Sequence, residues 1–176
     1  AAKVLGTFLT KFPQDPLVPD VQLRLGLSLF NQGNFAESEP LFVKAAAAAE
    51  YQFADHALMR QGQALFEQDK VAEAAAVYES LPQRFPKSAL HSATQLAAGK
   101  CRFRLAQFPQ AQQQFAASLA AKGEEAPDAA HWLGRTLLRL NKPTEAIGIL
   151  DQAIAAYPKS PLLPDCTYAR IDAVAT

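Results

Sequence analysis

The chain has 176 residues, of which 49% are hydrophobic and 19% are charged, and this composition is typical of a folded protein rather than a disordered one. Lys and Arg together number 17, as do Asp and Glu, so the formal net charge is zero. Proteins that bind nucleic acid usually carry a basic excess, so the balance argues against a nucleic-acid partner. No apolar run reaches the roughly 18 residues that would predict a membrane span.

The spacing of apolar residues predicts helices along the whole chain and no strand. Apolar side chains recur every three or four positions, which puts them on one side of a helix. Proline ends a helix at Pro13, Pro86 and Pro158, whereas Pro19 and Pro164 suit the first turn of the next helix. The predicted helices cover residues 1–12, 18–32, 35–49, 53–68, 71–84, 90–105, 108–121, 127–140, 143–156 and 164–175.

Four of these helices align on a glycine, and the alignment reveals an internal repeat. The glycines are Gly26, Gly62, Gly99 and Gly134, at spacings of 36, 37 and 35 residues. Glycine lets two helices approach closely, and a bulky side chain from the next helix fills the adjoining gap. In each unit a small residue and then a bulky one follow in that next helix: Ser38 and Phe42, Ala74 and Tyr78, Ala111 and Phe115, Ala146 and Leu150.

This pattern of Leu-Gly, small, bulky and Pro positions resembles the tetratricopeptide repeat family, whose unit has about 34 residues. The resemblance implies an all-α fold, a right-handed α-solenoid of tetratricopeptide-type helix hairpins with about five units. We expect a single solenoid over residues 1–176, with a half unit at 1–14, units at about 15–50, 51–87, 88–123 and 124–159, and a half unit at 160–176. Because the chain begins in mid-repeat, we expect it to be a fragment of a longer protein or a processed form.

The family resemblance implies a protein–protein interaction scaffold that binds a partner peptide or protein in its concave groove. Two linkers, residues 12–20 and 157–165, run from an aromatic-Pro pair to Pro-Asp. They resemble bacterial envelope members of the family, namely the barrel-assembly lipoprotein and the Tol–Pal-associated coordinator. That resemblance favours a periplasmic or envelope-associated location over the cytoplasm. Two alternatives stay open: a cytoplasmic adaptor segment, and a docking or regulatory segment of a larger enzyme.

No group of residues predicts catalysis, a metal or a cofactor, so we predict that the chain is not an enzyme. There is no phosphate-binding glycine loop, no metalloprotease motif and no nucleophile elbow. Cys101 and Cys166 lack metal-ligand spacing, and they align with small residues of the other units. We therefore expect both cysteines to be buried thiols that are not joined in a disulfide.

The binding residues are predicted by carrying the family's ligand-contacting positions onto this chain. Those positions hold six basic and three acidic residues, interleaved with aromatic ones. They predict a protein or peptide ligand, acidic or held by its C-terminal carboxylate, because arginine supplies forked donors for carboxylates. The alternative is that the aromatic residues belong to the core and the arginines only face solvent. The candidate site residues are Arg24, Arg60, Phe66, Lys100, Phe103, Arg104, His131, Trp132, Arg135 and Arg139.

Two further expectations concern partners. The chaperone-tail receptors of the family have Asn one residue after the glycine, and this chain has Leu27, Gln63, Lys100 and Arg135 there. We therefore expect no chaperone-tail receptor. The terminal segments carry apolar residues, and solenoids need polar caps, so end-to-end self-association is expected at high concentration. The residues on which this rests are Val4, Leu5, Phe8, Ile171 and Val174.

Overall fold

The computed structural model describes residues 2–175, and within them the chain forms ten α-helices and no strand. The all-α helical-repeat fold is thereby confirmed, and each helix end lies within two residues of its predicted position. The predicted start at residue 1 lies outside the described residues. The helices are α1 (Ala2–Lys11), α2 (Val18–Phe30), α3 (Phe35–Ala47), α4 (Ala54–Glu67), α5 (Val71–Arg84), α6 (His91–Arg104), α7 (Phe108–Ala120), α8 (Ala126–Arg139), α9 (Pro143–Ala156) and α10 (Leu163–Val174).

The chain divides into two compact units between Leu90 and His91. Helices α1 to α5 form the first unit and α6 to α10 the second, and in each unit every helix packs against the next in sequence. The first core is built around Phe42, Leu58 and Leu81, and the second around Phe115 and Leu133. Because consecutive helices bury their apolar stripes on one another, each unit is a stack of helix hairpins.

The repeat glycines hold the paired helices close together, as the sequence predicts. A Cβ added to Gly26 would lie 2.6 Å from the Phe42 ring, and one added to Gly99 would lie 2.5 Å from the Phe115 ring. At Gly134 the facing residue is Leu150, 2.8 Å away. The small residue of each unit (Ser38, Ala74, Ala111 and Ala146) has no exposed surface.

The turn inside each helix hairpin has one conformation in all four complete repeats. The seventh residue after each repeat glycine has a positive φ, from 56° to 80°, and these residues are Gly33, Asp69, Ala106 and Asn141. The N–H that follows donates back to a carbonyl five residues earlier, as from Gln107 to Arg102 at 2.9 Å. This is the Schellman arrangement, which satisfies carbonyls at the end of a helix.

The two cysteines lie in the small-residue positions that the sequence assigns to them. Cys101 is 1% exposed and Cys166 is 3% exposed, so the prediction of buried thiols is confirmed. Burial raises the pKa of the Cys166 thiol, and the nearby carboxylates of Asp165 and Asp128 raise it further. A buried thiol with a raised pKa is a packing group rather than a nucleophile.

Candidate functional site

Four of the predicted site residues come together in the second unit. Lys100 and Phe103 are three residues apart on α6, and Trp132 and Arg135 are three residues apart on α8, so each pair shares one side of its helix. The Phe103 and Trp132 rings meet edge to face with centroids 5.2 Å apart. We call Lys100, Phe103, Trp132 and Arg135 the Trp132 cluster.

Arg135 lies over both rings of the Trp132 cluster. Its Cζ atom is 4.8 Å from the Trp132 ring centroid and 5.6 Å from that of Phe103. A guanidinium at this distance from an aromatic face is attracted to the ring and held in place. Arg135 is nevertheless exposed, so its N–H groups stay available to a carboxylate.

The positive charge of Lys100 is partly neutralised by an ion pair with Asp128. Its Nζ atom donates to Asp128 Oδ2 at 2.5 Å and lies 5.7 Å from the Trp132 ring centroid. Asp128 is in the first turn of α8, 28 residues along the chain from Lys100. The positive charge that the cluster offers to a ligand therefore comes mainly from Arg135.

The two aromatic residues of the cluster lie partly at the surface and partly against the core. Phe103 and Trp132 are half-buried and pack against the second core, and Trp132 stacks on fully buried Phe115 with centroids 6.1 Å apart. The interpretation of these rings as core residues is thus correct for one side of each ring. Their remaining exposure keeps them accessible beside Arg135.

His131 lies next to the cluster and is partly buried. Its ring is 5.8 Å from that of Trp132, and its Nδ1 is buried without a hydrogen-bond partner among the described residues. Burial lowers the pKa of His131, and the charge of Arg135 lowers it further; Asp165 and Asp128 oppose this in part. A lowered pKa keeps the imidazole neutral near pH 7, so it adds no charge to the site.

Two further predicted cations flank the cluster. Arg104 is exposed at the end of α6, and Arg139 is exposed at the end of α8. Arg139 lines a recess of about 240 Å³ together with Arg135, Leu138 and Asp172. The carboxylate of Asp172 was not predicted here, because it belongs to α10 and has no counterpart in a motif centred on α8.

In the first unit the predicted residues Arg24 and Arg60 line a second recess, of about 310 Å³. Arg24 Nε donates to Asp20 Oδ2 at 2.6 Å, and Arg60 Nη1 donates to Gln63 Oε1 at 2.8 Å. Two of the seven residues that line this recess are thus predicted site residues. The full lining is Asp20, Leu23, Arg24, Leu27, Phe53, His56 and Arg60.

Sequence reasoning missed one aromatic residue that lines this first-unit recess and a second that donates a hydrogen bond to its lining. Phe53, just before α4, is 41% exposed and lines the recess, and Tyr51 donates to Asp20 Oδ1 at 3.3 Å. Burial and the Asp20 carboxylate raise the pKa of Tyr51 to about 12. Phe66, which was predicted as a site residue, is half-buried on α4 and is not part of the lining.

Within residues 2–175 no group of three or more His, Cys, Asp or Glu side chains is placed to hold a metal ion. No helix in that range is both long and apolar enough to cross a membrane. The recesses described above combine arginine and aliphatic side chains with one carboxylate each, and the first-unit recess adds Phe53 and His56.

The sequence matches the family model described as tetratricopeptide repeat over residues 1–52, 23–89 and 96–161. The chain therefore belongs to the tetratricopeptide repeat family. Proteins of this family generally act as protein-interaction scaffolds and are typically not enzymes. No curated protein matches the chain in sequence.

Solved structures share this fold at low sequence identity. A tetratricopeptide repeat protein from Parabacteroides merdae superposes with a TM-score of 0.74 at 20% identity, covering 98% of this chain and 64% of that one. YrrB, described as a protein of this class with an unusual peptide-binding site, gives 0.73 at 15% identity, covering 99% and 84%. Kinesin-light-chain repeats from Podosopora anserina give 0.70 at 16% identity, covering 92% and 88%. At these identities the likeness concerns the fold alone.

Proposed function

We propose that this chain is a scaffold that binds an acidic segment of a partner protein on the face of α6 and α8. The observation that carries the proposal is the position of the Arg135 guanidinium, 4.8 Å from the Trp132 ring centroid and 5.6 Å from that of Phe103. The rings restrict the rotamers of the arginine, so less side-chain entropy is lost when it grips a carboxylate. An apolar side chain of the ligand would rest on the exposed side of the same rings.

The first-unit recess supports contact with a second part of the partner. Phe53, Leu23 and Leu27 offer apolar surface there, and Arg60 stands at its edge. Affinity in repeat proteins is summed over contacts from successive units. YrrB, which has the same fold, is described as carrying a peptide-binding site. Peptide binding is therefore compatible with this fold.

The test measures binding of fluorescein-labelled peptides of about a dozen residues by fluorescence anisotropy. Peptides with several Asp or Glu residues around one aromatic residue are compared with versions in which every acid is replaced by its amide. Arg135→Gln should weaken binding of the acidic peptides about tenfold or more, because hydrogen bonds between charged groups contribute roughly 1.5–3 kcal/mol. The matched control is Lys159→Gln, an exposed cation in the linker between α9 and α10.

Equal binding of the acidic and amide peptides would contradict the predicted ligand class. Equal losses for Arg135→Gln and Lys159→Gln would contradict the Trp132 cluster as the site. A substitution on the second-helix face, such as Gln152→Glu on α9, should leave binding unchanged. If it abolishes binding instead, the outer surface is the working face.

We further propose that this scaffold works in a bacterial envelope assembly, in the periplasm or attached to the envelope. The support is the aromatic-Pro to Pro-Asp linkers at residues 12–20 and 157–165, in which Pro19 and Pro164 stand in the first turn of α2 and α10. Fractionation of the source cells with periplasmic and cytoplasmic marker proteins tests this location. Recovery with the cytoplasmic marker would favour the adaptor alternative.

Catalysis is not part of the proposed function, and a docking segment of a larger enzyme is the alternative of a different class. The full-length sequence separates them, because an attached catalytic domain would favour the enzyme.

A second proposal is self-association through the terminal helices. It is supported by exposed apolar side chains, with Val4 on α1 72% exposed and Val174 on α10 62% exposed.

A further inference from the structure

The imidazole of His131 is a titratable group beside the Trp132 cluster that the proposed peptide binding does not use. His131 lies four residues before Arg135 on α8, and this spacing puts both side chains on one side of the helix. The imidazole meets the Trp132 ring edge to face, with centroids 5.8 Å apart. The imidazole and the Arg135 guanidinium are therefore both held against Trp132.

The structure favours the neutral form of this imidazole. Its Nδ1 atom is buried and has no hydrogen-bond partner among the described residues. In a charged imidazole both nitrogens are donors, so Nδ1 would become a buried donor without an acceptor. Such a group is unfavourable, and a proton on His131 therefore needs compensation from nearby charges.

The charges nearest in effect to His131 act in opposite directions. Burial lowers the pKa of His131 most, and the positive charge of Arg135 lowers it next. Asp165 on α10 raises the pKa through its carboxylate and a backbone hydrogen bond, and the carboxylate of Asp128 raises it less. Asp128 is itself paired with Lys100 of α6.

Other charged groups stand on the helices that pack against α8. Helix α7 contains no charged residue. The two acids of α9 form ion pairs, Glu145 with Lys142 and Asp151 with Arg170 of α10. The other charged residues of these helices are Arg102 and Arg104 in the last turn of α6 and Asp172 of α10. Arg135 is thus the cation that disfavours a proton on His131.

We propose that binding of an acidic segment at Arg135 is coupled to the uptake of a proton at His131, so that the site binds more tightly as the pH falls. The proposal rests on the proposed function and adds its regulation. A ligand carboxylate on Arg135 neutralises the charge that opposes the imidazolium. By linkage, a ligand that favours the protonated form must also bind that form more tightly.

The direction of the effect follows from the pKa of His131 in the two states. In the free protein this pKa lies below the ordinary value of 6.5, and neutralising Arg135 raises it in the complex. Affinity is therefore constant above the pKa of the complex, rises as the pH falls through it, and levels off below the pKa of the free protein. Unit charges about 6 Å apart in water contribute roughly threefold to an equilibrium constant, so we expect a gain of about threefold or more.

Isothermal titration calorimetry between pH 7.5 and pH 5.5 tests the coupling. The probe is an unlabelled acidic peptide with blocked termini and no histidine, whose carboxylates have ordinary pKa values near 4 and stay ionised in this range. Binding enthalpies in two buffers of different ionisation enthalpy give the number of protons taken up. We expect proton uptake, with an affinity that rises about threefold or more towards pH 5.5.

Two histidine variants assign the proton. In His131→Gln the affinity should not change with pH, and no proton should be taken up. The matched control is His91→Gln at the start of α6, which should keep both the uptake and the pH dependence. Circular dichroism must show equal helical content in both variants.

An NMR titration of the histidine rings tests the same coupling without any peptide. The His131 signal is the one that is missing in His131→Gln. Arg135→Gln removes the charge that a ligand carboxylate would neutralise, so the pKa of His131 should rise towards 6.5 in that variant. Lys159→Gln, which removes an exposed cation from the linker between α9 and α10, should leave the pKa unchanged. An unchanged His131 pKa in Arg135→Gln overturns the proposal, whichever peptides bind.

The outcomes separate this inference from the proposed function. If acidic peptides bind through Arg135 with an affinity that is constant or falls towards pH 5.5, the regulation is wrong and the binding site stands. A pH dependence that persists in His131→Gln assigns the proton to another group and also overturns the regulation. If the acidic and amide peptides bind equally, the proposed function fails and this inference fails with it.

Discussion

Gly62 lies directly under the ring of Tyr78, so close that a Cβ on Gly62 would come within 2.6 Å of the phenol Cζ. The same relationship joins Gly26 to Phe42 and Gly99 to Phe115. The glycine therefore sets the distance between the two helices of a hairpin. Any side chain at this position must displace a ring that is held by the core.

We predict that Gly62→Ala destabilises the protein by about 1–3 kcal/mol, since it overpacks a close contact. The control is Gly148→Ala on α9, where an added Cβ meets no atom within 4 Å. That variant should stabilise by up to about 1 kcal/mol, because alanine favours the helix over glycine. Urea unfolding followed by circular dichroism measures both. Equal effects at the two positions would show that the Gly62–Tyr78 contact does not limit packing.

A second prediction concerns Ala106, which has a φ of 56° in the turn between α6 and α7. Residues with a Cβ are strained there and glycine is not. Ala106→Gly should therefore stabilise by about 0.5–1 kcal/mol, although the flexible unfolded chain offsets part of the gain. Ala116→Gly, at an exposed position inside α7, should destabilise by about 1 kcal/mol. Thermal unfolding of both variants checks the opposite signs.

Much of the fold could be predicted because the same packing positions recur in four repeats. The glycine, small and bulky positions recur at fixed offsets, so the pairing of Gly134 with Leu150 follows from the pattern. Asp69 is of a residue type that adopts positive φ more often than most, but the left-handed turn at Ala106 could not be predicted, because alanine does not favour positive φ. There the tertiary packing of two fixed helices decides the conformation.

The candidate site was predictable only where it lies within one helix. Spacing along α6 and α8 places Lys100 with Phe103 and Trp132 with Arg135. The ion pair between Lys100 on α6 and Asp128 on α8 joins residues that are 28 positions apart in the chain. No local sequence pattern predicts such a contact. Phe53 precedes its helix, so a search restricted to helix positions misses it.

A third prediction uses the partly buried imidazole of His131. Burial and Arg135 lower its folded-state pKa below the ordinary value of 6.5. The unfolded chain therefore takes up the proton first, and stability falls as the pH drops through about 6.5 towards the folded pKa. The melting temperature of His131→Gln should fall less between pH 7.5 and pH 5.5 than that of the unmodified chain. The control Gln113→Ala, at an exposed position on α7, removes no ionisable group and should fall as much as the unmodified chain.

A fourth prediction concerns Trp132, which both stacks on Phe115 and supports Arg135. Trp132→Ala should weaken binding of acidic peptides by roughly 2 kcal/mol or more, beyond the loss from any single arginine substitution. It should also lower the melting temperature, because one side of the ring belongs to the core. Trp132→Phe keeps an aromatic surface and should retain most of the binding. Anisotropy titrations below the melting temperature of each variant separate lost contact from lost fold.

The last prediction concerns Asp128, whose carboxylate accepts from Lys100 Nζ at 2.5 Å. In Asp128→Asn the lysine loses its counter-charge but keeps its place beside the Trp132 ring, so the net charge of the face rises by one. A unit charge near 4 Å from a ligand carboxylate contributes about 1 kcal/mol in water, so acidic peptides should bind about fivefold more tightly. The gain should come mostly from faster association and should shrink at high salt.

The folded state of Asp128→Asn should lose no more than about 1 kcal/mol of stability, since the ion pair is partly exposed. Stopped-flow association rates at several salt concentrations measure the change in binding, with Glu73→Gln, an exposed carboxylate on α5 outside the Trp132 cluster, as the control. Weaker binding of Asp128→Asn would instead mean that the ion pair is needed to position Lys100.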